Sequence, residues 1–278
     1  MRVESMKIIA DSGSTKTKFA LVEGGAVKYV LTAGINPYYQ SGEDIESTLR
    51  TQLLPEVAKP ESVRSIEFYG AGCGPADKIA IVRDALQAIF LGSTIIVASD
   101  LLGAAKALCG EEAGIACILG TGSNSCYYDG EKIVQNVSPL GFILGDEGSG
   151  AVLGKLLVAD ILKNQAPKSL ADKFFRKYNY TSAEIIDKVY RKPFPNRFLA
   201  SLAPFISENI DDAYCHSLVY NSFKAFIDRN LRQYPAGLPV HFTGSVAYYF
   251  RAILEDAMTA SGLKLGRIVR EPIELLIS

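Results

Sequence analysis

Three short segments carry residue types suited to holding a phosphoryl group. The first is Asp11-Ser12-Gly13-Ser14-Thr15-Lys16-Thr17. Gly13 lets backbone N–H groups approach an oxyanion, and Ser14, Thr15 and Thr17 add hydroxyl donors. Lys16 offers a cation, and Asp11 a carboxylate that can hold Mg²⁺ through water. The same residues also make an ordinary polar hairpin turn, and Lys16 an ordinary exposed turn lysine. The second segment is Leu119-Gly120-Thr121-Gly122-Ser123-Asn124-Ser125. The third, Phe242-Thr243-Gly244-Ser245-Val246, runs from an extended stretch into a glycine turn and a helix start, where free N–H groups suit a nucleotide. Neither GxGxxG nor GxxxxGK[ST] occurs, so the dinucleotide and P-loop fingerprints are both absent.

Transfer of a phosphoryl group to an alcohol also needs a carboxylate to take the hydroxyl proton. Asp100 follows an apolar extended run and precedes a small-residue helix, which suits either a base at a strand end or a helix N-cap. Asp146 and Glu147 lie in the glycine-rich stretch Gly145-Asp146-Glu147-Gly148-Ser149-Gly150, where two adjacent acids could simply decorate a helix N-terminus. Tyr38 and Tyr39 could form an apolar wall, or be ordinary half-buried tyrosines; the chain has no Trp. The two histidines, His216 and His241, read as structural.

The elements that must position these residues follow from periodicity. Residues 7–10, 18–22 and 27–31 are short and β-rich and read as strands, with Gly24-Gly25 as a hairpin signal. Then come a helix at 44–54, a strand at 65–69, a helix at 77–90, a strand at 94–98 and a helix at 101–108. After Gly110 the order begins again, with strands at 115–119, 125–128 and 132–137. Such self-similarity predicts an internal duplication, with phosphate turns at equivalent places in the two halves. Helical periodicity then occupies 152–162, 170–178, 183–190, 197–210 and 213–231, an insertion in the second half. A strand at 240–243, a helix at 246–258 and an extended stretch at 264–270 complete the pattern. The predicted division is therefore 1–110 and 111–278, with the insertion at about 151–235.

Composition removes other classes. Hydrophobic residues at 48% and charged residues at 21% describe a folding chain. Twenty-nine basic against thirty acidic side chains leave a net charge of −1, which disfavours nucleic acid and anionic membranes as partners. The apolar runs fall well short of the roughly 20 residues that span a bilayer, and no leader pattern opens the chain, so a cytoplasmic protein is expected. Five cysteines, with no CxxC and no histidine at ligand spacing, signal neither a disulfide framework nor a metal centre and read as small buried apolar residues.

Taken together, Asp11 to Thr17, Asn36, Ser99-Asp100, the GTGSN and GDEGSG segments in that order, and Thr243-Gly244-Ser245 resemble the actin/hexokinase/Hsp70-type ATPase superfamily. Within it the chain is similar to the BadF/BadG-type ATPase-domain family, and particularly to N-acetylglucosamine kinases. The resemblance spans nearly the whole sequence. It implies an α/β fold of two duplicated ribonuclease H-like halves with mixed five-stranded sheets, the first bearing a phosphate turn and a catalytic Asp, the second another phosphate turn and an adenosine turn.

It further implies ATP and Mg²⁺ as cofactors, an amino sugar as substrate, and Asp100 as the base. ATP or its phosphates would meet Asp11, Gly13, Ser14, Thr15, Lys16, Thr17, Gly120, Thr121, Gly122, Ser123, Gly244 and Ser245, with Asp11 holding the metal through water. The sugar would meet Asn36, Gly72, Asp100, Thr121, Asn124 and Asp146, and a homodimer is compatible with the pattern. The chain departs from the family at its end: members usually continue past the last strand with a glycine-containing turn and a closing helix, where this sequence has Glu271 to Ser278. A kinase with the ROK-type zinc motif is disfavoured by the cysteine and histidine count. An ATPase that energises a partner enzyme, and a non-catalytic ATP- or sugar-binding protein, stand as alternatives.

Overall fold

A computed structural model describes residues 5–13 and 15–277. It contains two compact units, Met1–Gly110 with Pro272–Ser278, and Glu111–Glu271.

The first unit is built on a five-stranded sheet. Strands β1 (Met6–Ser12), β2 (Lys16–Glu23) and β3 (Ala26–Ala33) form an antiparallel meander, and β4 (Val63–Gly70) and β5 (Thr94–Ser99) add in parallel, in the order β3-β2-β1-β4-β5. Parallel neighbours need crossovers. Helix α1 (Gly42–Thr48) lies in the chain between β3 and β4, α2 (Ala76–Gln87) links β4 to β5, and α3 (Asp100–Cys109) leaves β5. Alternating β1 residues such as Ile8 and Ala10 join Phe19, Phe68, Leu86 and Phe90 in one apolar core. The helix expected at 44–54 is regular only to Thr48. It continues as a π-helical turn over Leu49–Leu53 and a 3₁₀ turn over Leu54–Glu56, where Pro55 has no N–H to continue the ladder.

The second unit repeats the design. Its strands β6 (Gly114–Leu119), β7 (Ser123–Tyr128), β8 (Ile133–Val137), β9 (Val240–Thr243) and β10 (Leu265–Val269) lie in the order β8-β7-β6-β9-β10, with the same pairing senses as β3-β2-β1-β4-β5. The duplication read from the sequence is thus a duplication of topology. Between β8 and β9 come α4 (Gly141–Leu144), α5 (Gly150–Leu162), α6 (Lys168–Tyr178), α7 (Ser182–Tyr190), α8 (Pro195–Ala200), α9 (Ala203–Glu208) and α10 (Ala213–Arg229). Leu153, Leu157, Phe174, Phe205, Phe223 and Phe226 pack this insertion onto the Cys117 and Phe242 face of the sheet. The single helix expected at 197–210 is two, because Pro204 starts a new one in its first turn. The helix expected at 246–258 is likewise two, α11 (Ser245–Tyr249) and α12 (Arg251–Ala260), broken at Phe250.

The last residues belong elsewhere than the reading 111–278 anticipated. Helix α13 (Ile273–Leu276) packs against β1 and α3 of the first unit, where buried Ile273 meets Ile9 and Ala20. Burying an isoleucine is worth about 1.5–3 kcal/mol, and a β1 surface left apolar by Ile9 supplies the place. Among the described residues no helix is long and apolar enough to cross a membrane.

Candidate active site

In the first unit, the expected phosphate turn joins β1 to β2. The Gly13 N–H donates to the Lys16 carbonyl at 3.0 Å, and the Gly34 N–H to the Thr15 carbonyl at 3.1 Å, while Thr15 and Lys16 are exposed. Asp11, half-buried, is the next-to-last residue of β1, and Ser14 lies outside the described residues. Thr17 corrects the expectation. It is fully buried, its hydroxyl is 2.6 Å from the Ser12 hydroxyl, and it accepts the Ile35 N–H at 3.2 Å. That hydroxyl ties the hairpin to the chain leading into Asn36 and is not a phosphate donor.

The tie sets Asn36, which is buried. Its side-chain oxygen accepts the Tyr38 N–H at 3.0 Å, and its own N–H donates to Gln40 Oε1 at 2.8 Å. Gly72 lies against it in a left-handed conformation, φ +82°, where a Cβ would come within 2.6 Å of Asn36 Oδ1. Only glycine allows that approach. Tyr38 and Tyr39 are exposed rather than half-buried, and the Lys78 ammonium sits 5.1 Å from the Tyr38 ring centre.

At the start of α3 the N-cap is the neighbour of Asp100. Ser99 is the N-cap, its hydroxyl accepting the Leu102 N–H at 3.2 Å, and Asp100 is the first helical residue. The Asp100 carboxylate accepts the Leu101 N–H at 2.9 Å. A helix N-terminus favours the charged form, yet burial wins and pushes the carboxyl up to about 6. Cys73 shares this environment: its thiol is pushed up to about 12, mostly by burial and further by the Asp100 charge. All five cysteines are buried.

In the second unit, the GTGSN turn and the GDEGSG loop form one structure. The N–H groups of Gly150 and Ala151, which open α5, donate to the carbonyls of Gly120 and Thr121 at 2.8 and 3.0 Å. Ser149 caps α5 through the Val152 N–H. Asp146 Oδ1 accepts the Ser123 N–H at 3.2 Å, and a Cβ on Gly122 would stand 3.1 Å from Asp146 Oδ2. Asp146 is buried and held in the left-handed region at φ 55°. Burial pushes its carboxyl up to about 6, opposed by the Ser123 N–H; the Glu147 charge raises it further and Lys155 lowers it. Asn124 is partly accessible, its side-chain oxygen accepting the Ser125 N–H and the Asn136 amide, both at 2.9 Å.

The late turn follows β9. Gly244 has φ +111°, and a Cβ there would lie 2.3 Å from the Leu119 carbonyl oxygen. Its glycine is therefore required by the passage of backbone past β6, whatever else the turn binds. Thr243 is buried and its hydroxyl has no hydrogen-bond partner among the described residues, whereas Ser245 is exposed. His241 is structural, as expected: its Nδ1 accepts the Arg267 N–H at 3.0 Å, and burial, followed by the Arg267 charge, lowers its pKa.

A solved structure of a proposed N-acetylglucosamine kinase from Porphyromonas gingivalis superposes with a TM-score of 0.95 at 50% sequence identity, over 98% of this chain and 97% of that one. This chain belongs to the N-acetylglucosamine kinase-like family of sugar kinases. A proposed N-acetylglucosamine kinase from Chromobacterium violaceum, 17% identical over 99% of both chains with a TM-score of 0.71, shares the fold. No family model and no curated protein matches the sequence.

Sequence reasoning missed parts of the kinase that hold these side chains in place. Gln40 and Lys155 were legible only as polar residues near the motifs, and Ser99 was read as part of a motif without its capping role. Ser222 and Arg229, on the inserted helix α10, carry no local signal, because what they touch lies 74 and 82 residues away in the chain.

Proposed function

We propose that this kinase transfers the terminal phosphoryl group of ATP to the 6-hydroxyl of N-acetylglucosamine, with Asp100 as general base. The observation that carries the reading is the state of Asp100. It is relieved of capping by Ser99 and raised to about 6, where it is ionised at neutral pH yet basic enough to take a proton. The 50% identity with the Porphyromonas gingivalis protein supports the amino-sugar class.

Asp146 would fix sugar hydroxyls, its carboxylate directed by the Ser123 N–H, with Asn124 as a further contact; Asn36 and the Gly72 backbone are the polar groups that the first unit offers a sugar. Carboxylate and amide groups suit this because each can pair with hydroxyls in fixed directions. Gly120, Thr121, Gly122 and Ser123 supply small residues and N–H groups suited to phosphate, and the turn at Gly13, Ser14, Thr15 and Lys16 has the same residue types. The unpartnered Thr243 hydroxyl beside Gly244 and Ser245 is the kind of buried polar atom that a bound nucleotide satisfies.

The residues fit Mg²⁺ as well. A single carboxylate at the end of β1, Asp11, matches an ion that keeps several waters and takes one or two carboxylates along with phosphate oxygens. When bound, the ion would neutralise charge on the transferring group. Asp100 then accepts the acceptor hydroxyl's proton as the new O–P bond forms, and ADP leaves.

The test is a panel of N-acetylglucosamine, glucosamine, N-acetylmannosamine and glucose with ATP and Mg²⁺, followed by ADP production. N-acetylglucosamine should give the highest kcat/KM. Equal rates with every sugar, or none above the sugar-free rate, would overturn the proposal.

A further inference from the structure

The loop that carries Asp146 is held by one face of a helix far away in sequence. Ser222, Phe223, Phe226 and Arg229 of α10 are spaced at i, i+1, i+4 and i+7, the spacing of a single helix face. Ser222, buried, accepts the Gly148 N–H at 3.1 Å. Phe226 Cβ and Phe223 Cδ1 stand 3.3 and 3.4 Å from where a Gly148 Cβ would be, so the aromatic pair presses directly on the loop backbone. Arg229 Nε pairs with Glu147 Oε1 at 2.8 Å, and the Glu147 side chain is only 15% exposed.

These contacts converge on the two residues that follow Asp146, whose own backbone is left-handed at φ 55°. A non-glycine residue persists there only when its surroundings over-determine it. On the other side, the Asp146 N–H donates to the Pro139 carbonyl at 2.9 Å, and Lys155 of α5 anchors the Phe142 carbonyl at 2.6 Å. The α10 face is thus the half of the clamp contributed by the insertion.

We propose that Ser222 and Arg229 are positioning residues for the Asp146 carboxylate, so that the inserted helix α10 sets how tightly the kinase holds its sugar. The inference rests on the reading of Asp146 as a sugar contact. It gives the insertion a role in substrate binding as well as in the core.

Arg229 has an electrostatic part too. The charges acting on Asp146 are Glu147 from the same loop, which disfavours its ionisation, and Lys155 from α5, which favours it, with the Ser123 N–H on its oxygen. Arg229 neutralises Glu147. Removing it leaves Glu147 to act on Asp146 unopposed, which should raise the pH at which Asp146 ionises.

Steady-state kinetics of Ser222→Ala, Arg229→Gln, Arg229→Gln/Glu147→Gln and Asp146→Asn, each across pH 5–9, test this directly. Ser222→Ala and Arg229→Gln should each raise KM for N-acetylglucosamine by about tenfold or more, since small misplacements of a binding group are costly, with KM for ATP nearly unchanged. Arg229→Gln should also move the acidic limb of kcat/KM for the sugar to higher pH, and the added Glu147→Gln should move it back. A purely structural role would not move that limb and restore it. Arg229 is largely exposed, so its variant keeps the test available should Ser222→Ala fold poorly. If Asp146→Asn raises the sugar KM while Ser222→Ala and Arg229→Gln do not, the positioning role is wrong. If Asp146→Asn itself leaves the sugar KM unchanged, the parent reading of Asp146 falls instead.

Discussion

The Ser123 N–H donates to Asp146 Oδ1 at 3.2 Å, joining the first turn of the second unit's sheet to a loop more than twenty residues later. The bond fixes one carboxylate oxygen and the direction of the other. Gly122 must stay small for the same reason, because a Cβ there would crowd Oδ2 at 3.1 Å. Asp146 is thereby a buried acid with a set orientation, and Asp100 in the other unit is a second acid raised by burial.

Both carboxyls are pushed up to about 6, so activity should fall as pH drops through that region. Two groups that must both be ionised give an acidic limb of kcat/KM steeper than a single ionisation. Asp100→Asn should return whatever activity it retains to a single-ionisation limb. A parent profile flat from pH 5 to 8 would contradict both assignments.

Stability should run the opposite way. A carboxyl whose folded pKa is raised from 3.8 to about 6 binds its proton more tightly in the native state, so its contribution to stability is full below about 4. That contribution is lost as pH rises through about 6. At neutral pH the ionised groups are therefore a cost, at most about 3 kcal/mol each. Asp100→Asn should raise the melting temperature at pH 7.5 and lose that advantage near pH 4; a lower melting temperature at pH 7.5 would count against a raised Asp100.

Removing the proposed base should be costly for catalysis. Asp100→Asn is expected to lower kcat by about 10² to 10⁴ while leaving ADP affinity nearly intact. Activity within a few-fold of the parent, in a folded variant, would remove Asp100 from the mechanism.

The proposed nucleotide turn needs a gentler probe than its glycine. Gly244→Val would drive a side chain into the Leu119 carbonyl, so loss of ADP binding there would report misfolding. Thr243→Val keeps the shape and removes the unpartnered hydroxyl. It should leave the ligand-free protein as stable or more so, and weaken ADP binding severalfold by calorimetry. Unchanged ADP affinity would place the nucleotide elsewhere.

The terminal helix is a structural member of the first unit. Ile273 is fully buried against Ile9 and Ala20, so Ile273→Ala should cost about 2–5 kcal/mol, read by denaturant unfolding. A change below about 0.5 kcal/mol would mean that the helix is not docked as described.

What could be read in advance followed from local repetition. The meander strands are short β-rich runs bounded by turn residues, and the two glycine turns recur at matching places, so both sheets and their duplication were visible in one sequence. Ser99 and Asp100 are adjacent and both good caps, and only the hydrogen bond to Leu102 separates their roles. Thr17 looked like a phosphate donor because nothing in the sequence reveals the buried Ser12 hydroxyl beside it. Gly244 looked like a ligand requirement when the neighbouring strand already demands it, and α13 returns to β1 across more than 250 residues. Each of these is a tertiary contact, invisible to periodicity.

The central claim is sugar-directed phosphoryl transfer to one hydroxyl, and the most direct measurement is phosphorus and carbon NMR of the product formed from ATP and N-acetylglucosamine. The account predicts one phosphosugar, its phosphorus coupled to C6, formed in equal amount with ADP and nearly absent with Asp100→Asn. ADP accompanied only by inorganic phosphate at a rate indifferent to the sugar, or phosphate attached at C1, would contradict it.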